Sequence, residues 1–310
     1  MGQRKGVAIL GIFVADLAFR AGRLPGIGET IAGSGFKVGP GGKGSNQAVA
    51  AARAGAQVTF ISKIGRDEFG AIALATWKKE GITPRVIEMS DQPTGAAFIY
   101  VNETNGDNAI IVVPGAAATI GPDDVDASAQ AIREASVFIT QLEQPVAAAR
   151  RGLEIAKASG AVTIFNPAPA ERFDDELYRF CDYVTPNESE ASLLTGITVR
   201  TAGDAREAGD VFLRKGAGAA LITLGEAGAY LHSASQSVLV PALKAGAVVE
   251  TTGAGDAFNG GLAAALAEGA SALDAARFGT AVAGISVTRE GTAPSMPARR
   301  EVDILLRQSV

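Results

Sequence analysis

Cysteine and histidine each occur once in this chain, at Cys181 and His232. A lone cysteine excludes an internal disulfide and a cysteine metal cluster, and a lone histidine excludes a multi-histidine zinc site. Cys181 is expected to pack in a strand. His232, within Tyr230-Leu-His-Ser, reads as a strand-end residue and not as a catalytic one. Aromatic residues are scarce at 6%, too few to suggest an aromatic binding platform. No block of basic residues exists and the formal net charge is −5, so nucleic acid and anionic membranes are not expected partners. Long apolar runs are missing too. The stretch of lowest charge, 257–287, is broken by Glu268, Asp274 and Arg277 and reads as two buried helices. After the charged start Met1-Gly-Gln-Arg-Lys-Gly, the apolar run is short and reaches Asp16 with no small-residue cleavage site. It does not read as a signal peptide, and a cytoplasmic location is expected.

What the chain has in quantity is glycine, 38 of 310 residues, which suits tight turns between strands and helices. Hydrophobic residues are 47% and charged residues 20%, an ordinary globular balance. One core over residues 1–310 suffices without a second domain. An apolar run at 7–10 ends in glycine and reads as a buried parallel strand, and 58–61 reads as another, followed by a helix over 67–80. From 137 onward, strands near 137–143, 162–166, 183–187 and 220–225 alternate with helices over 145–159, 188–195 and 204–215. Such alternation predicts an α/β fold: a mostly parallel central sheet with helices on both faces, in three Rossmann-like layers. Residues 12–38 are Gly/Thr-rich and partly alternating, and two β-rich runs within 94–113 flank the hairpin signal Asn105-Gly106. Together they are expected to form a small added sheet. Ligands of such folds bind at the carboxyl ends of the strands. Asp16, Glu143, Asn166, Asn187, Thr223 and Asp256 are expected there.

The stretch around which these residues gather is Glu250-Thr-Thr-Gly-Ala-Gly-Asp-Ala-Phe-Asn-Gly. A β-branched strand at 247–250 is expected to run into a glycine turn and then a helix over 257–268. Gly253, Ala254 and Gly255 would turn their backbone N–H groups inward at the helix start, where negative charge is favoured. Asp256 there is expected to stay ionised. It is either a base that takes a hydroxyl proton beside an anion hole, or a plain helix cap. The loop Gly39-Pro-Gly-Gly-Lys-Gly matches a dinucleotide fingerprint literally, but the strand before it is not the buried one, and Lys43 is followed by Gly44, not by the Ser or Thr of a Walker loop. Gly42, Lys43 and Asn46 read as a hydroxyl- or phosphate-binding loop, or as a helix-start turn capped by Asn46. An alanine-rich helix follows over 48–54. Asp16 and Glu143 read as carboxylates that grip vicinal hydroxyls, or as solvated loop charges. Asn187 and Glu190 read as holders of water around a magnesium ion, or as a capped helix start. The sequon at Asn187 is discounted for a cytoplasmic chain.

Five segments occur in order along nearly the whole chain: Gly41-Gly-Lys-Gly-Ser-Asn-Gln-Ala, Asn166-Pro-Ala-Pro-Ala, Thr185-Pro-Asn-Glu-Ser-Glu, Leu221-Ile-Thr-Leu-Gly and Thr252-Gly-Ala-Gly-Asp-Ala-Phe-Asn-Gly. They resemble the ribokinase family of carbohydrate kinases. The resemblance implies the ribokinase fold and a phosphotransferase that uses ATP, Mg2+ and K+. Asp256 would be the base, with Gly253, Ala254 and Gly255 as its anion hole. Val14, Asp16, Gly42, Lys43, Asn46 and Glu143 would face the sugar. Asn187, Thr223, Gly225, Gly228 and Thr280 would line the nucleotide. Glu190 would serve magnesium through water, and Glu250, Thr252 and Ser295 the potassium ion. The two β segments would form a lid over the sugar, and two lids would clasp in a homodimer. The family implies ribose as acceptor. Two positions depart from its pattern. Val14 replaces an asparagine that helps hold ribose, which makes 2-deoxyribose the alternative. Glu250 replaces an aspartate at the potassium site.

Overall fold

The structure is a computed structural model that describes residues 6–309. Residues 1–5, part of the charged start read above, lie outside the described residues. Along the chain run β1 (Val7–Leu10), β2 (Val14–Ala21), β3 (Gly35–Gly41), α1 (Lys43–Arg53), β4 (Val58–Gly65), α2 (Glu68–Lys79), β5 (Thr83–Met89), β6 (Thr94–Asn102) and β7 (Asn108–Gly115). Next come α3 (Pro122–Ala127), α4 (Ala129–Glu134), β8 (Val137–Thr140), α5 (Val146–Ser159), β9 (Val162–Phe165), β10 (Tyr183–Val184), α6 (Glu188–Thr195) and α7 (Ala202–Arg214). The chain closes with β11 (Ala219–Thr223), β12 (Ala229–Ser233), β13 (Ser237–Val240), α8 (Ala254–Ala267), α9 (Ala272–Ser286) and α10 (Arg299–Gln308). None of the described helices is long and apolar enough to cross a membrane.

The strands form two sheets. The large one has the order β13-β12-β11-β10-β9-β8-β1-β4-β5, and the small one β3-β2-β6-β7. Alternating side chains of the large sheet feed two apolar layers. Val7, Ile9, Val137, Ile139 and Leu221 pack with residues of α1, α8, α9 and α10. Ala8, Leu10, Phe138, Phe165 and Ile222 pack with residues of α5 and α7 on the opposite face. This is the expected three-layer α/β arrangement. The parallel rule fails at one edge, where β12 pairs antiparallel to β11 and β13 antiparallel to β12. His232 lies on β12, with ring nitrogens paired to Ser237 and Asp210. The small sheet matches the two expected segments, and the hairpin turn carries Gly106 at φ 78.

Three local expectations are corrected. Residues 247–250 form no strand. They are held instead by Val249 and Glu250 N–H groups donating to Val287 O at 2.8 and 3.2 Å, so β-branched composition yields to a tether on the end of α9. The alanine helix starts at Lys43, five residues before position 48, because Gly44 can pack flat on Gly11, whose Cα would lie 2.7 Å from a Cβ there. Cys181 is buried but follows a short 3-10 turn, where its thiol donates to Leu177 O at 3.4 Å.

Helices α1 and α8 meet almost backbone to backbone. A Cβ added to Gly260 would lie 2.6 Å from Gln47 O and 2.9 Å from Ala51 N. Both helices begin at the same end of the sheet, so their first turns face each other. Gly260→Val should therefore force the pair apart and cost about 1–3 kcal/mol of stability. Urea unfolding would show this as a lower midpoint at an unchanged slope, and an unshifted midpoint would mean that the two helices can separate freely.

Candidate active site

The first turn of α8 presents the exposed donors of a helix start. Its cap is Gly253, left-handed at φ 81 with no side-chain capping bond, and a side chain there would press on Thr292. The N–H of Ala254 donates to Thr251 O at 3.1 Å. The N–H groups of Gly253, Gly255 and Asp256 have no acceptor among the described residues. Ala254 thus supplies a turn bond, and the free donors are those of its neighbours. All four residues border one cleft, together with Lys43, Asn166, Asn187, Glu190, Thr223 and Asn259.

Asp256 is not a helix cap. Its Oδ2 accepts from Asn46 Nδ2 at 3.0 Å and its Oδ1 from Gln47 Nε2 at 3.1 Å. Nor does it keep an ordinary acidity, as its place at a helix start suggested. Burial raises its pKa, and Lys43, Asn46 and Gln47 only partly oppose that. Taking a carboxylate out of water outweighs one helix dipole. A carboxylate with raised affinity for protons, beside unpaired N–H donors, is suited to accept a hydroxyl proton.

The loop ahead of α1 depends on two glycines. Gly42 has φ 88, and a Cβ on it would lie 2.6 Å from Ile12 O. A Cβ on Gly41 would collide with the Asp16 carboxylate, which lies across it. Asp16 belongs to β2, not to the end of β1, and receives a long bond from Thr292 Oγ1 at 3.4 Å. Burial pushes its pKa to about 6, with Asp256 and Glu250 adding to the rise against the Thr292 bond. Glu143, in the loop after β8, accepts from Lys43 N–H at 2.7 Å. Burial lifts it to about 7 despite the opposing Lys43 charge. For Lys43, burial would favour the neutral amine, yet Asp256, Glu143 and Glu190 outweigh it and hold the ammonium above its ordinary range. Asn46 Oδ1 is buried with no partner. Such an acceptor is costly unless a ligand donates to it. Val14 is buried in an apolar cluster with Ile12 and Ala97 and offers no hydrogen bond.

Asn187 and Glu190 form a reciprocal cap on α6: Asn187 Oδ1 accepts from Glu190 N–H at 2.8 Å, and Asn187 N–H donates to Glu190 Oε2 at 2.9 Å. The capped-helix alternative is realised, yet both side chains also border the cleft. Burial raises the Glu190 pKa, with Asn187 N–H and Lys43 opposing. Among the described residues no group of three or more His, Cys, Asp or Glu side chains could hold a metal ion. A magnesium ion here would rest on phosphate and water, with Glu190 outside it. Thr223 joins the cleft; Gly225, Gly228 and Thr280 do not border it. Thr280 is buried on α9, where its hydroxyl donates to Arg277 O at 2.8 Å. Glu250 Oε2 accepts from Gly291 N–H at 2.8 Å. With Thr252 it borders a second cleft under the small sheet, shared with Asp16 and Thr292. Ser295 is buried and donates to Thr292 O at 2.7 Å, so this loop is already braced by its own polar groups.

Sequence reasoning missed Gln47, Gln141 and Thr292. The first two are fully buried glutamines, and Gln47 stands beside Asn46. Starting α1 at Lys43 would have put both residues on the first turn facing Asp256.

Residues 4–299 match the model of the pfkB family of carbohydrate kinases. A ribokinase of Haemophilus influenzae is 40% identical over 300 residues, covering 96% of this chain and 97% of the relative. A deoxyribokinase of Salmonella typhi is 35% identical over 294 residues, covering 94% of this chain and 95% of the relative. The structure of a ribokinase of Arabidopsis thaliana complexed with ribose and ATP superposes with a TM-score of 0.90 at 30% identity, over 98% of this chain and 99% of that one. A match over this length, joined to a buried carboxylate set against a free helix start, identifies the chain as a member of the pfkB family of carbohydrate kinases.

Proposed function

We propose that this chain transfers the γ-phosphoryl group of ATP to the primary hydroxyl of D-ribose, giving ribose 5-phosphate and ADP. The observation that carries it is Asp256, buried and held by two amides beside the free N–H groups of Gly253 and Gly255. Asp256 takes the hydroxyl proton while the alkoxide oxygen bonds to the γ-phosphorus and the bond to the β-phosphate oxygen breaks. The free N–H groups, with that of Asp256, stabilise the charge on the transferring group. Asp16, Gly42, Lys43, Asn46 and Glu143 hold the sugar hydroxyls. Asn187 and Thr223 face the phosphates, with Gly225, Gly228 and Thr280 toward the rest of the nucleotide. Glu190 would hold water around a magnesium ion, which when bound would supply charge neutralisation. Glu250, Thr252 and Ser295 would hold potassium beside the turn.

The chain works as one unit of residues 1–310 in the cytoplasm, with the small sheet as a lid that excludes water from the transfer. On that sheet Phe19 stacks near Phe36 and Phe98, with ring centroids 4.7 and 5.7 Å apart, and all three are exposed. Such a face favours burial against a second copy's lid, giving a homodimer. A non-catalytic sugar-binding regulator is the weaker reading, since it has no use for free donors beside a buried base.

One observation favours a second acceptor: Val14 is apolar and buried, so a 2-hydroxyl facing it would lack a partner. A panel of ribose, 2-deoxyribose, fructose and a nucleoside with MgATP, with and without K+, tests the acceptor. Ribose is expected to give the highest kcat/KM. A lead for 2-deoxyribose that Val14→Asn reverses would hand the role to the deoxy sugar, and no transfer to any, with ATP bound, would point to a different acceptor or to the binding-protein reading. Asp256→Asn is expected to lower kcat by at least about 1,000-fold with sugar binding within roughly threefold.

The acid side of the profile follows from the raised carboxyls. Asp16 at about 6 and Glu143 at about 7 bind protons in the folded protein that the unfolded chain would release. Their ionised forms therefore cost stability as pH rises through 6 and 7, and they are also the forms that accept sugar hydroxyls. Sugar affinity should weaken by up to about tenfold from pH 7 to pH 6, and Glu143→Gln should flatten that slope. Titration calorimetry at both pH values checks it.

A further inference from the structure

The amides behind Asp256 form one connected buried chain. Asn166 Nδ2 donates to Thr185 O at 2.8 Å, which leaves Asn166 Oδ1 as an acceptor. Gln47 Nε2 donates to that oxygen at 3.1 Å and to Asp256 Oδ1 at 3.1 Å. Gln47 Oε1 in turn accepts from Gln141 Nε2 at 2.6 Å. Each amide direction is fixed by its neighbour, so no member can flip without losing bonds. Gln141 is itself seated in a slot between two glycines: a Cβ on Gly11 would lie 2.5 Å from its Oε1, and one on Gly44 3.0 Å. Gln47 and Gln141 are both fully buried. Leucine or methionine would fill this space without the desolvation cost of two amides, so packing alone does not account for them.

We infer that Gln47, steered by Gln141, is a positioning residue for the Asp256 carboxylate: it fixes Oδ1 on the buried side and leaves Oδ2, shared with Asn46, for the acceptor hydroxyl. The inference rests on the reading of Asp256 as the base. Gln141 lies two residues before Glu143, so the chain of amides also ties the sugar-holding loop to the base across α1. The charged groups facing Asp256 are Lys43 from α1, Asp16 from β2, Glu143 from the loop after β8 and Glu190 from α6. Only Lys43 among them favours the ionised form. Loss of the Gln47 donor removes one of two hydrogen bonds that oppose burial.

The test compares Gln47→Leu, Gln141→Leu and Asp256→Asn with the unmodified chain in steady-state kinetics from pH 5.5 to 9. Gln47→Leu is expected to lower kcat roughly 10- to 100-fold while sugar KM stays within about threefold. The acid limb of its kcat/KM profile should move to higher pH by about one pH unit. Gln141→Leu, which does not touch Asp256, should move both readouts the same way by less. An unmoved acid limb and kcat within about twofold in both variants would overturn the positioning role, even with a lowered Tm. Asp256→Asn remaining inactive in that case would leave the base reading intact. An active Asp256→Asn would sink both. Should Gln47→Leu fail to fold, Gln141→Leu decides by the same two readouts.

Discussion

Burying the Asp256 carboxylate is the constraint from which the site's arrangement follows. A charged group out of water needs donors and a counter-charge close by. Here they come from a single helix: Lys43, Asn46 and Gln47 all lie on the first turns of α1. That helix can reach Asp256 only because Gly260 lets α8 approach the α1 backbone, and only because Gly44 lets α1 settle on Gly11. Gly11, Gly44 and Gly260 thus set the distance between backbones, while Gly42 and Gly253 make the turns that lead into the two helices.

Around that contact the charges do not balance. Asp16, Glu143, Glu190 and Asp256 face one lysine, and burial raises the proton affinity of all four acids. Hydroxyls, which donate, suit such a site better than a bare anion does. The phosphate end is different. It meets the free N–H groups at the start of α8 and the Lys43 ammonium, which oppose the charge of Asp256 and Glu190 in the same cleft. Acceptor and donor halves are sorted by hydrogen-bonding sense as well as by shape.

Much of this was legible from the sequence. Alternating strands and helices, the Asn105-Gly106 hairpin and the glycine turn before Asp256 gave the layers, the small sheet and the end of the sheet where the cleft lies. What the sequence hid has physical causes. Residues 247–250 carry strand-like Val248 and Val249, but pairing needs a neighbour, and only a tether to Val287 is available. Gly42 and Gly44 masked the start of α1, since a glycine inside a helix costs stability unless close packing requires it. Acidity at Asp256 was misjudged because burial is a tertiary property with no local signal. Gln47 looked like any helical glutamine until a partner more than two hundred residues away came into view.

That separation has a consequence for how the molecule comes into being. Gln47 and Asp256 are 209 residues apart in the chain, and Asp16 and Thr292 are 276 apart. In the sheet, β1 sits between β4 and β8, so its own first partner arrives early and its second much later. Such non-local pairing closes large loops before any contact rewards them, which slows folding. Until α8 has been made, the donors of Asn46 and Gln47 have no carboxylate to meet. A chain stopped before residue 256 carries every strand of both sheets but lacks α8, α9 and α10, and with them the carboxylate that α1 is built to meet.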